Sequence, residues 1–422
     1  MKRGFYTIIA AQFFSSLADN ALLFASIALL TRLQSPDWMT PMLKLCFVLS
    51  YVLLAAFVGA FADALPKGRV MFITNMIKVA GCALMFFNVH PLIAYAVVGF
   101  GAAAYSPAKY GILTELLPPD KLVAANGWIE GLTVISIILG TVLGGALVNP
   151  VIAAALLRFD FPMIDFGINT PIEAALCVIV GAYILAAAIN LKIPDTGAHY
   201  DHQERNPIQL FRDFAHCTVI LWKDKLGQIS LAVTTLFWGA GATLQFIVLK
   251  WAEKYLHMPL DKAAILQGVV AIGVALGAAG AARFIPLKKS LSVMPMGIAM
   301  GVVVILMTLV HSLWIAYPLL ILIGILSGFF VVPMNALLQH RGHVLMSAGH
   351  SIAVQNFNEN LSILTMLSLY ALMISFNLDL DVVIILFGLF VSGTMYMVMR
   401  KHAANQREHD SLALIGQQRQ HK

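Results

Sequence analysis

Five ionisable side chains fall inside long apolar stretches of the sequence, where a charge is costly. They are Asp19, Lys78, Lys109, Glu130 and Glu359. A charge within a lipid-spanning segment needs a partner or a water-filled cavity, so such a residue is a functional candidate by default. Four of the five lie in the first half of the chain, two of each sign. This distribution predicts either internal ion pairs or a site for a ligand that carries both charges.

Both interpretations stay open at the level of the sequence. In the first, Asp19 pairs with Lys78 and Lys109 pairs with Glu130, and the pairs only fix helix positions. In the second, the lysines contact a phosphate, while the carboxylates contact an amine or balance the lysines. Asp19 lies about 21 Å into its apolar stretch at a rise of 1.5 Å per residue, and Asn20 adds polarity beside it. We therefore expect the substrate site to be formed by Asp19, Asn20, Lys78, Lys109 and Glu130.

The composition shows what the elements around these charges must be. Of the 422 residues, 60% are hydrophobic and 11% are charged, and the mean hydropathy is +0.84. A soluble domain carries about 45–50% apolar and about 25% charged residues. A soluble enzyme, a disordered protein and a nucleic-acid binder are therefore excluded, and a polytopic membrane protein is predicted. The four cysteines show no paired spacing, so no disulfide framework is expected.

Twelve apolar runs, each about long enough to cross a bilayer, are separated by charge, proline or glycine. They are predicted near 5–30, 42–62, 70–87, 91–113, 123–148, 172–191, 227–250, 262–282, 291–310, 314–336, 351–375 and 381–399. With the N-terminus in the cytoplasm, 19 of the 27 lysines and arginines fall in cytoplasmic segments and 6 on the opposite side. This excess follows the positive-inside rule and predicts that both termini are cytoplasmic.

A polar interval divides the twelve spans into two sets of six. We predict an N-terminal half at 1–192, a cytoplasmic linker at 193–226, a C-terminal half at 227–400 and a cytoplasmic tail at 401–422. Within the linker, Asn206 and Pro207 are typical of a helix start. Ile208, Phe211, Phe214 and Trp222 then recur on roughly one face, which predicts an amphipathic helix on the membrane surface.

The two halves resemble each other internally. Pro107 and Pro333 lie 226 residues apart, each near the end of a span, and Glu130 and Glu359 lie 229 residues apart, each early in a span. Repeats of this kind, related by an axis along the membrane normal, are typical of transporters with two halves and alternating access.

The segment that joins the second and third spans carries a known pattern. Gly59, Asp63, Pro66, Lys67 and Arg69 resemble the loop signature of the major facilitator superfamily. The resemblance implies an all-α membrane protein with twelve transmembrane helices in two six-helix halves. The glycines at 140, 144 and 145 in span five suit close helix packing and agree with it. For gating or latching we expect four residues, namely Asp63, Lys67, Arg69 and Glu359.

The predicted substrate is amphiphilic. Charges of both signs in the first half face a second half rich in Met, Leu and Ile, which suits a molecule with a charged head and an apolar tail. The segment 105–118 (YSPAKYGILTELLP) and the segment 124–130 (AANGWIE) are similar to the bacterial inner-membrane lysophospholipid transporters. That resemblance implies inward movement of lysophospholipids, chiefly lysophosphatidylethanolamine, to the cytoplasmic leaflet. It also implies coupling to an acyltransferase/acyl–carrier-protein synthetase that re-acylates them, with no cofactor and no metal.

Two alternatives are considered, one within transport and one from another class. A proton-coupled exporter of amphiphilic compounds would use Asp19 as its proton carrier. An integral-membrane acyltransferase would need a His-x4-Asp pair, and none of the twelve histidines has Asp five positions later. No phosphate-binding loop occurs either, which argues against ATP-driven transport. His340, His343 and His350 are interpreted as a solvated loop between spans ten and eleven rather than a metal site.

Overall fold

The computed structural model describes residues 3–36, 39–157, 170–198, 200, 206–258, 260–408 and 410–416. Within these ranges the regular structure is helical. The α-helices are α1 Arg3–Arg32, α2 Met39–Leu53, α3 Ala55–Ala64, α4 Lys67–Phe86, α5 Pro91–Leu116, α6 Leu122–Leu147, α7 Pro150–Leu157, α8 Pro171–Asn190, α9 Pro207–Lys223, α10 Gly227–Tyr255, α11 Leu260–Phe284, α12 Met294–Leu306, α13 Leu313–Leu345, α14 Ala348–Ser375 and α15 Leu380–Glu408. Short 3-10 turns cover 119–121, 287–293, 307–309 and 411–414.

Among the described residues, eleven helical segments are long and apolar enough to cross a membrane, and α2 with α3 makes a twelfth if the bent pair is one span. That pair bends by 67° at Leu54. The span predicted near 42–62 is thus a bent pair of helices. Backbone hydrogen bonds persist at the bend: the Leu54 amide donates to the Ser50 carbonyl at 3.0 Å and the Val58 amide to the Leu54 carbonyl at 3.0 Å. Lipid offers no replacement for such bonds, so those that persist limit the cost of the bend.

The chain forms two compact units. Unit 1 comprises 1–112 and 135–210, and unit 2 comprises 113–134 and 211–422. The end of α5, the following loop and the first part of α6 therefore group with the second unit, although they lie in the first half of the sequence. The predicted boundaries at 192, 226 and 400 stay a prediction, and residues 199, 201–205 and 417–422 of the linker and tail lie outside the described residues.

Unit 1 is built by close approach of α1, α4, α5 and α8. The buried core includes Leu22, Cys82 and Tyr183. Gly101 on α5 lies so close to α4 that a Cβ there would come within 2.8 Å of the Thr74 carbonyl and of Lys78 Cγ. The absence of a side chain at this point is what lets the aliphatic stem of Lys78 lie between the two helices.

The glycine run of span five has two different sides. A Cβ at Gly140 would lie 2.5 Å from the Leu17 carbonyl, and one at Gly144 would lie 2.9 Å from the Ala21 carbonyl. Gly145 has nothing within 4 Å. Gly140 and Gly144 therefore seat α6 directly on the backbone of α1, as the spacing predicts, while Gly145 faces open space.

In unit 2, glycines likewise allow close contact between α11 and α13. Glycines 273 and 277 on α11 meet the backbone of α13, and glycines 324 and 328 on α13 meet the backbone of α11. The first part of α6 packs here as well, because a Cβ at Gly127 would lie 2.6 Å from Ala282 Cβ on α11. The core includes Trp251, whose indole N–H donates to the Met307 carbonyl at 2.8 Å.

Helix α9 occupies the linker. The Asn206 side chain accepts from the Ile208 amide at 3.0 Å and so caps the start of the helix. On one side Leu221 is buried against unit 2, and Phe214 contacts Phe357 with ring centroids 5.4 Å apart. An adjacent stripe is exposed and apolar, formed by Ile208, Phe211, Val219 and Trp222. That this stripe meets the membrane surface stays a prediction.

Candidate functional site

Asp19 on α1 and Lys78 on α4 form an ion pair inside unit 1. Lys78 Nζ lies 2.8 Å from Asp19 Oδ2 and 2.9 Å from Asp19 Oδ1, so both carboxylate oxygens accept from the ammonium. The Lys78 side chain is 1% exposed and the Asp19 side chain is 20% exposed. The structure thus brings these two predicted residues together, in the pairing that the sequence left open.

Other polar groups complete the cluster. Lys78 Nζ also donates to Ser15 Oγ at 3.0 Å, and the Ser15 hydroxyl donates to Asn75 Oδ1 at 2.8 Å. The Tyr183 hydroxyl on α8 donates to Asp19 Oδ1 at 2.7 Å. Ser15 precedes Asp19 by one helical turn and Asn75 precedes Lys78 by about one turn, so each pair shares a face. This one-turn spacing of polar residues is a signal that the sequence prediction missed; Tyr183 has no such signal.

The two charges of the cluster lie in different surroundings. The ammonium of Lys78 has three acceptors and lies beneath the rings of Tyr105 and Tyr183, 5.1 Å and 5.5 Å from their centroids. The Asp19 carboxylate is the member that remains partly exposed. Within the described part of the chain, the Asn75 side-chain nitrogen is buried without a hydrogen-bond partner. A buried polar atom without a partner marks a place where a water molecule or a ligand group can supply the missing hydrogen bond.

The remaining predicted substrate residues are Asn20, Lys109 and Glu130. The Asn20 side chain donates to the Ser16 carbonyl of its own helix at 2.8 Å. Lys109 Nζ lies 4.0 Å from the ring centroid of Tyr110. Glu130 is buried on the part of α6 that groups with unit 2, so Lys109 and Glu130 belong to different units.

The predicted gating residues fall into three situations. Asp63 and Lys67 are buried and form an ion pair at 2.6 Å across the break between α3 and α4. Lys67 Nζ also donates to the Ala62 carbonyl at 2.7 Å and lies 4.9 Å from the ring centroid of Tyr200 in the linker. Arg69 is exposed, one turn into α4. The loop signature is thus built around a buried lysine that ties the linker to the α3–α4 corner.

Glu359 on α14 is buried in unit 2 within a chain of polar side chains. The Gln355 amide nitrogen donates to Glu359 Oε1 at 2.7 Å and to Asn335 Oδ1 on α13 at 3.1 Å. The neighbouring Asn358 and Asn360 donate to carbonyls of their own helix, so the polar residues of this stretch divide between two roles. Gln355 therefore links α14 to α13, and Glu359 accepts from the same amide.

Two further polar contacts were not predicted. Asn126 and Gln339 exchange side-chain hydrogen bonds of 2.8 and 2.9 Å, both buried and 213 residues apart in sequence. Arg341 donates from two nitrogens to the Asp224 carboxylate, at 3.1 and 2.6 Å. No periodic signal links residues so far apart in sequence.

The interpretation of His340 and His343 as loop residues was wrong. Both lie on α13, which continues to Leu345, nine residues beyond the predicted end of the span. The helix extends because its last turns are covered: His340 is 3% exposed, and its ring accepts from the Gly416 amide of the tail at 3.0 Å. Arg341 donates to the Leu414 carbonyl beside it, at 3.2 Å. The tail thus packs on the end of α13.

The chain has clear relatives. A family model described as Major Facilitator Superfamily matches residues 8–364. The chain is 43% identical over 376 residues to the Lysophospholipid transporter LplT of Yersinia enterocolitica serotype O:8 / biotype 1B, covering 89% of this chain and 88% of that protein. It is 44% identical over 374 residues to the protein of the same name from Serratia proteamaculans (strain 568), covering 88% and 89%.

Solved structures share the fold at low sequence identity. The transporter FucP in its outward conformation superposes with a TM-score of 0.69 at 12% identity, covering 94% of this chain and 98% of FucP. A bacterial homologue of the iron transporter ferroportin, in an outward-facing state, superposes with a TM-score of 0.71 at 14% identity, covering 96% and 100%. Helical spans, their packing by small residues and a buried ion pair thus define a multi-pass membrane transporter. The chain belongs to the major facilitator superfamily and, within it, to the family of the lysophospholipid transporters.

Proposed function

We propose that this protein carries lysophospholipids, chiefly lysophosphatidylethanolamine, from the outer to the inner leaflet of a bacterial inner membrane. The observation that carries the proposal is identity of 43–44% over nearly nine tenths of the chain with proteins named lysophospholipid transporter. Both termini lie in the cytoplasm in this proposal, because the lysines and arginines concentrate on that side. On the same side an acyltransferase/acyl–carrier-protein synthetase re-acylates the delivered lipid.

The Asp19–Lys78 cluster is the polar anchor of the proposed substrate site. Lys78 is buried and its three hydrogen-bond donors are taken, so it acts by orienting the Asp19 carboxylate. Asp19 keeps an exposed edge, and a partly exposed carboxylate attracts the amine of an ethanolamine head group. Lys109, also within the membrane region, is the proposed phosphate contact, with Asn20 and Glu130 as secondary contacts. Asp63, Lys67, Arg69 and Glu359 act in gating.

Alternating access is the proposed mechanism. The duplicated halves supply two bundles that rock about a shared site. A ligand shifts that equilibrium only by the difference in its affinity for the two states. The Asp63–Lys67 pair, which also contacts Tyr200, is a candidate latch for one of the states, since it links a loop between spans to the linker.

The experiment is leaflet-resolved uptake of labelled lysophosphatidylethanolamine in spheroplasts that lack both the carrier and the acyltransferase. Expression of this chain should produce inward movement of the label above the empty-vector control. A chain that is correctly inserted but moves no lysophospholipid would refute the proposal. Resistance to amphiphilic drugs in the same cells would then indicate the exporter instead.

A further inference from the structure

A second feature of unit 1 has the chemistry of a lipid site. An open cleft of about 360 Å³ lies where α1 ends, α6 ends and α8 begins. It is lined by Ala28, Arg32, Val148, Thr170, Pro171 and Ile172. Ligand pockets in proteins have volumes of about 300–1,000 Å³, so the cleft has room for a lipid head group and the first part of a chain.

Arg32 is the one ionisable side chain among the described residues that line the cleft. It is exposed, and within the described ranges its guanidinium has no ion pair. Two other basic residues predicted for the same membrane side are paired, Lys250 with Glu253 and Lys254 with Asp379, both at 3.1 Å. Among the described residues Arg32 thus offers an unpaired planar fork of donors, which matches a phosphate group in a bidentate manner.

The rest of the lining is suited to a hydrocarbon. Ala28, Val148, Pro171 and Ile172 present apolar surface. The hydroxyl of Thr170 is already used, because it accepts from the Glu173 amide in the cap of α8 at 3.3 Å. An apolar cleft with one cation at its mouth fits an anionic head group that carries a chain, and it fits a free inorganic anion poorly.

We propose that this cleft is an outer-leaflet docking site that binds the phosphate of a lysophospholipid at Arg32 and the first part of its acyl chain along Ala28 and Ile172. This inference rests on the proposed function and on its topology, since a cytoplasmic N-terminus places the end of α1 at the outer surface. The cleft lies beyond the Asp19–Lys78 cluster on the same helix: thirteen residues separate Asp19 from Arg32, about 20 Å at the helical rise. The substrate is captured here before it reaches the ion pair.

The test combines cross-linking with uptake. A photoreactive benzoylphenylalanine at position 172 should cross-link to radiolabelled lysophosphatidylethanolamine added from outside, and Arg32→Gln should reduce that cross-linking at least about tenfold, which corresponds to about 1.4 kcal/mol. In uptake assays Arg32→Gln should raise the KM by a similar factor with little change in kcat, and Arg32→Lys should recover part of the loss. Ala28→Trp, which fills the cleft, should act like Arg32→Gln.

Matched controls separate this site from a general surface effect. Lys250→Gln removes a basic residue from the same predicted membrane side, and Leu33→Trp adds bulk at a residue that is 54% exposed and outside the cleft. Both should keep the wild-type KM. Wild-type cross-linking and wild-type KM in Arg32→Gln and Ala28→Trp would overturn the inference while leaving the proposed function intact. If the wild-type chain moves no lysolipid, the proposed function fails, and an Arg32-dependent cross-link still decides whether the cleft binds one.

Discussion

The two charges of the ion pair in unit 1, Asp19 and Lys78, differ in their exposure. Lys78 is enclosed by acceptors and aromatic rings, whereas Asp19 keeps a fifth of its side chain exposed. A buried charge pair adds little net stability, but loss of one partner leaves an uncompensated charge that costs about 3–5 kcal/mol. This cost is consistent with the proposed role of Asp19 in contacting substrate.

The first prediction separates that role from a purely structural one. Asp19→Asn should lower the melting temperature and abolish lysophospholipid uptake, because it leaves Lys78 buried without its counter-ion. The double variant Asp19→Asn/Lys78→Met should regain most of the melting temperature, since a neutral pair replaces a charged one. Uptake should stay absent in the double variant. Thermal unfolding of the purified protein and spheroplast uptake are the two measurements.

The matched control for this prediction is the exposed pair Lys254–Asp379. Lys254→Met/Asp379→Asn should leave the melting temperature nearly unchanged, because an exposed ion pair is screened by water. Recovery of uptake in the buried double variant would show that the pair only holds α1 and α4 together.

Part of this site could be predicted from the sequence. The isolated charges in apolar runs identified Asp19 and Lys78, because the energetic cost of charge in lipid is visible in a single chain. Tyr183 and the Asn126–Gln339 pair could not be found in this way. Tyrosine and amides are cheap enough to occur in spans for other reasons, and their partners lie 164 and 213 residues away.

Helix packing in this molecule depends on which side of a helix a glycine faces. Gly144 and Gly145 are adjacent on α6, yet one lies against the α1 backbone and the other has no neighbour within 4 Å. Without a hydrophobic driving force between spans, such close backbone approach supplies much of the packing energy. The sequence identified the glycine run but not which member makes contact, because the rotation of α6 depends on its partner.

The second prediction uses this adjacent pair. Gly144→Ala should destabilise the protein by about 1–3 kcal/mol through overpacking, because its Cβ would lie 2.9 Å from both the Ala21 carbonyl and Phe24 Cβ. Gly145→Ala should be neutral or stabilising by up to about 1 kcal/mol, since alanine favours a helix more than glycine. Thermal unfolding of the two variants side by side is the measurement, and equal melting temperatures would contradict the packing described for α1 and α6.

The tail is a second element whose position follows from contacts rather than composition. Leu414 and Gly416 bind Arg341 and His340 at the end of α13, and Ile415 is buried there. Arg341 also holds Asp224, whose carboxylate accepts from the amides of Leu226 and Gly227 at the start of α10. The tail therefore covers a junction between α9, α10 and α13.

The third prediction concerns truncation of this element. Removal of residues 409–422 should lower the melting temperature, because it exposes His340 and takes a hydrogen bond from Arg341. Removal of 417–422 alone eliminates none of these contacts and should leave the melting temperature unchanged. If both truncations behave alike, the contacts of Leu414 and Gly416 contribute no stability.

At the scale of the whole molecule, the compact units do not coincide with the two halves of the sequence. Residues 113–134 precede the linker but pack with unit 2, where Asn126 bonds Gln339 and Gly127 lies against α11. The twelve apolar runs could be predicted because the bilayer fixes their length. The assignment of 113–134 could not, since hydropathy reports exposure to lipid and carries no information on which helix is the neighbour.

The fourth prediction follows from the packing of residues 113–134 with unit 2. If the chain is cut between residues 200 and 206, the two co-expressed fragments should assemble into an active carrier. This break leaves the contacts of α6 with unit 2 available. The fragment 1–200 alone should be degraded faster, since buried Asn126 then loses both hydrogen bonds to Gln339. Pulse-chase labelling of each fragment, alone and together, is the measurement. Equal lifetimes for the lone fragment and the co-expressed pair would contradict it.

The link between Asp19 and Lys78 also bears on how the chain enters the bilayer during synthesis. A lysine or aspartate near the centre of a span costs about 2.5–3.5 kcal/mol on insertion, and the partner of Lys78 lies two spans earlier in the chain. The first span must therefore stay beside the insertion machinery until the third arrives, so that the two charges move into lipid already neutralised by each other. The Asp19–Lys78 salt bridge therefore constrains the order in which the spans leave the insertion machinery.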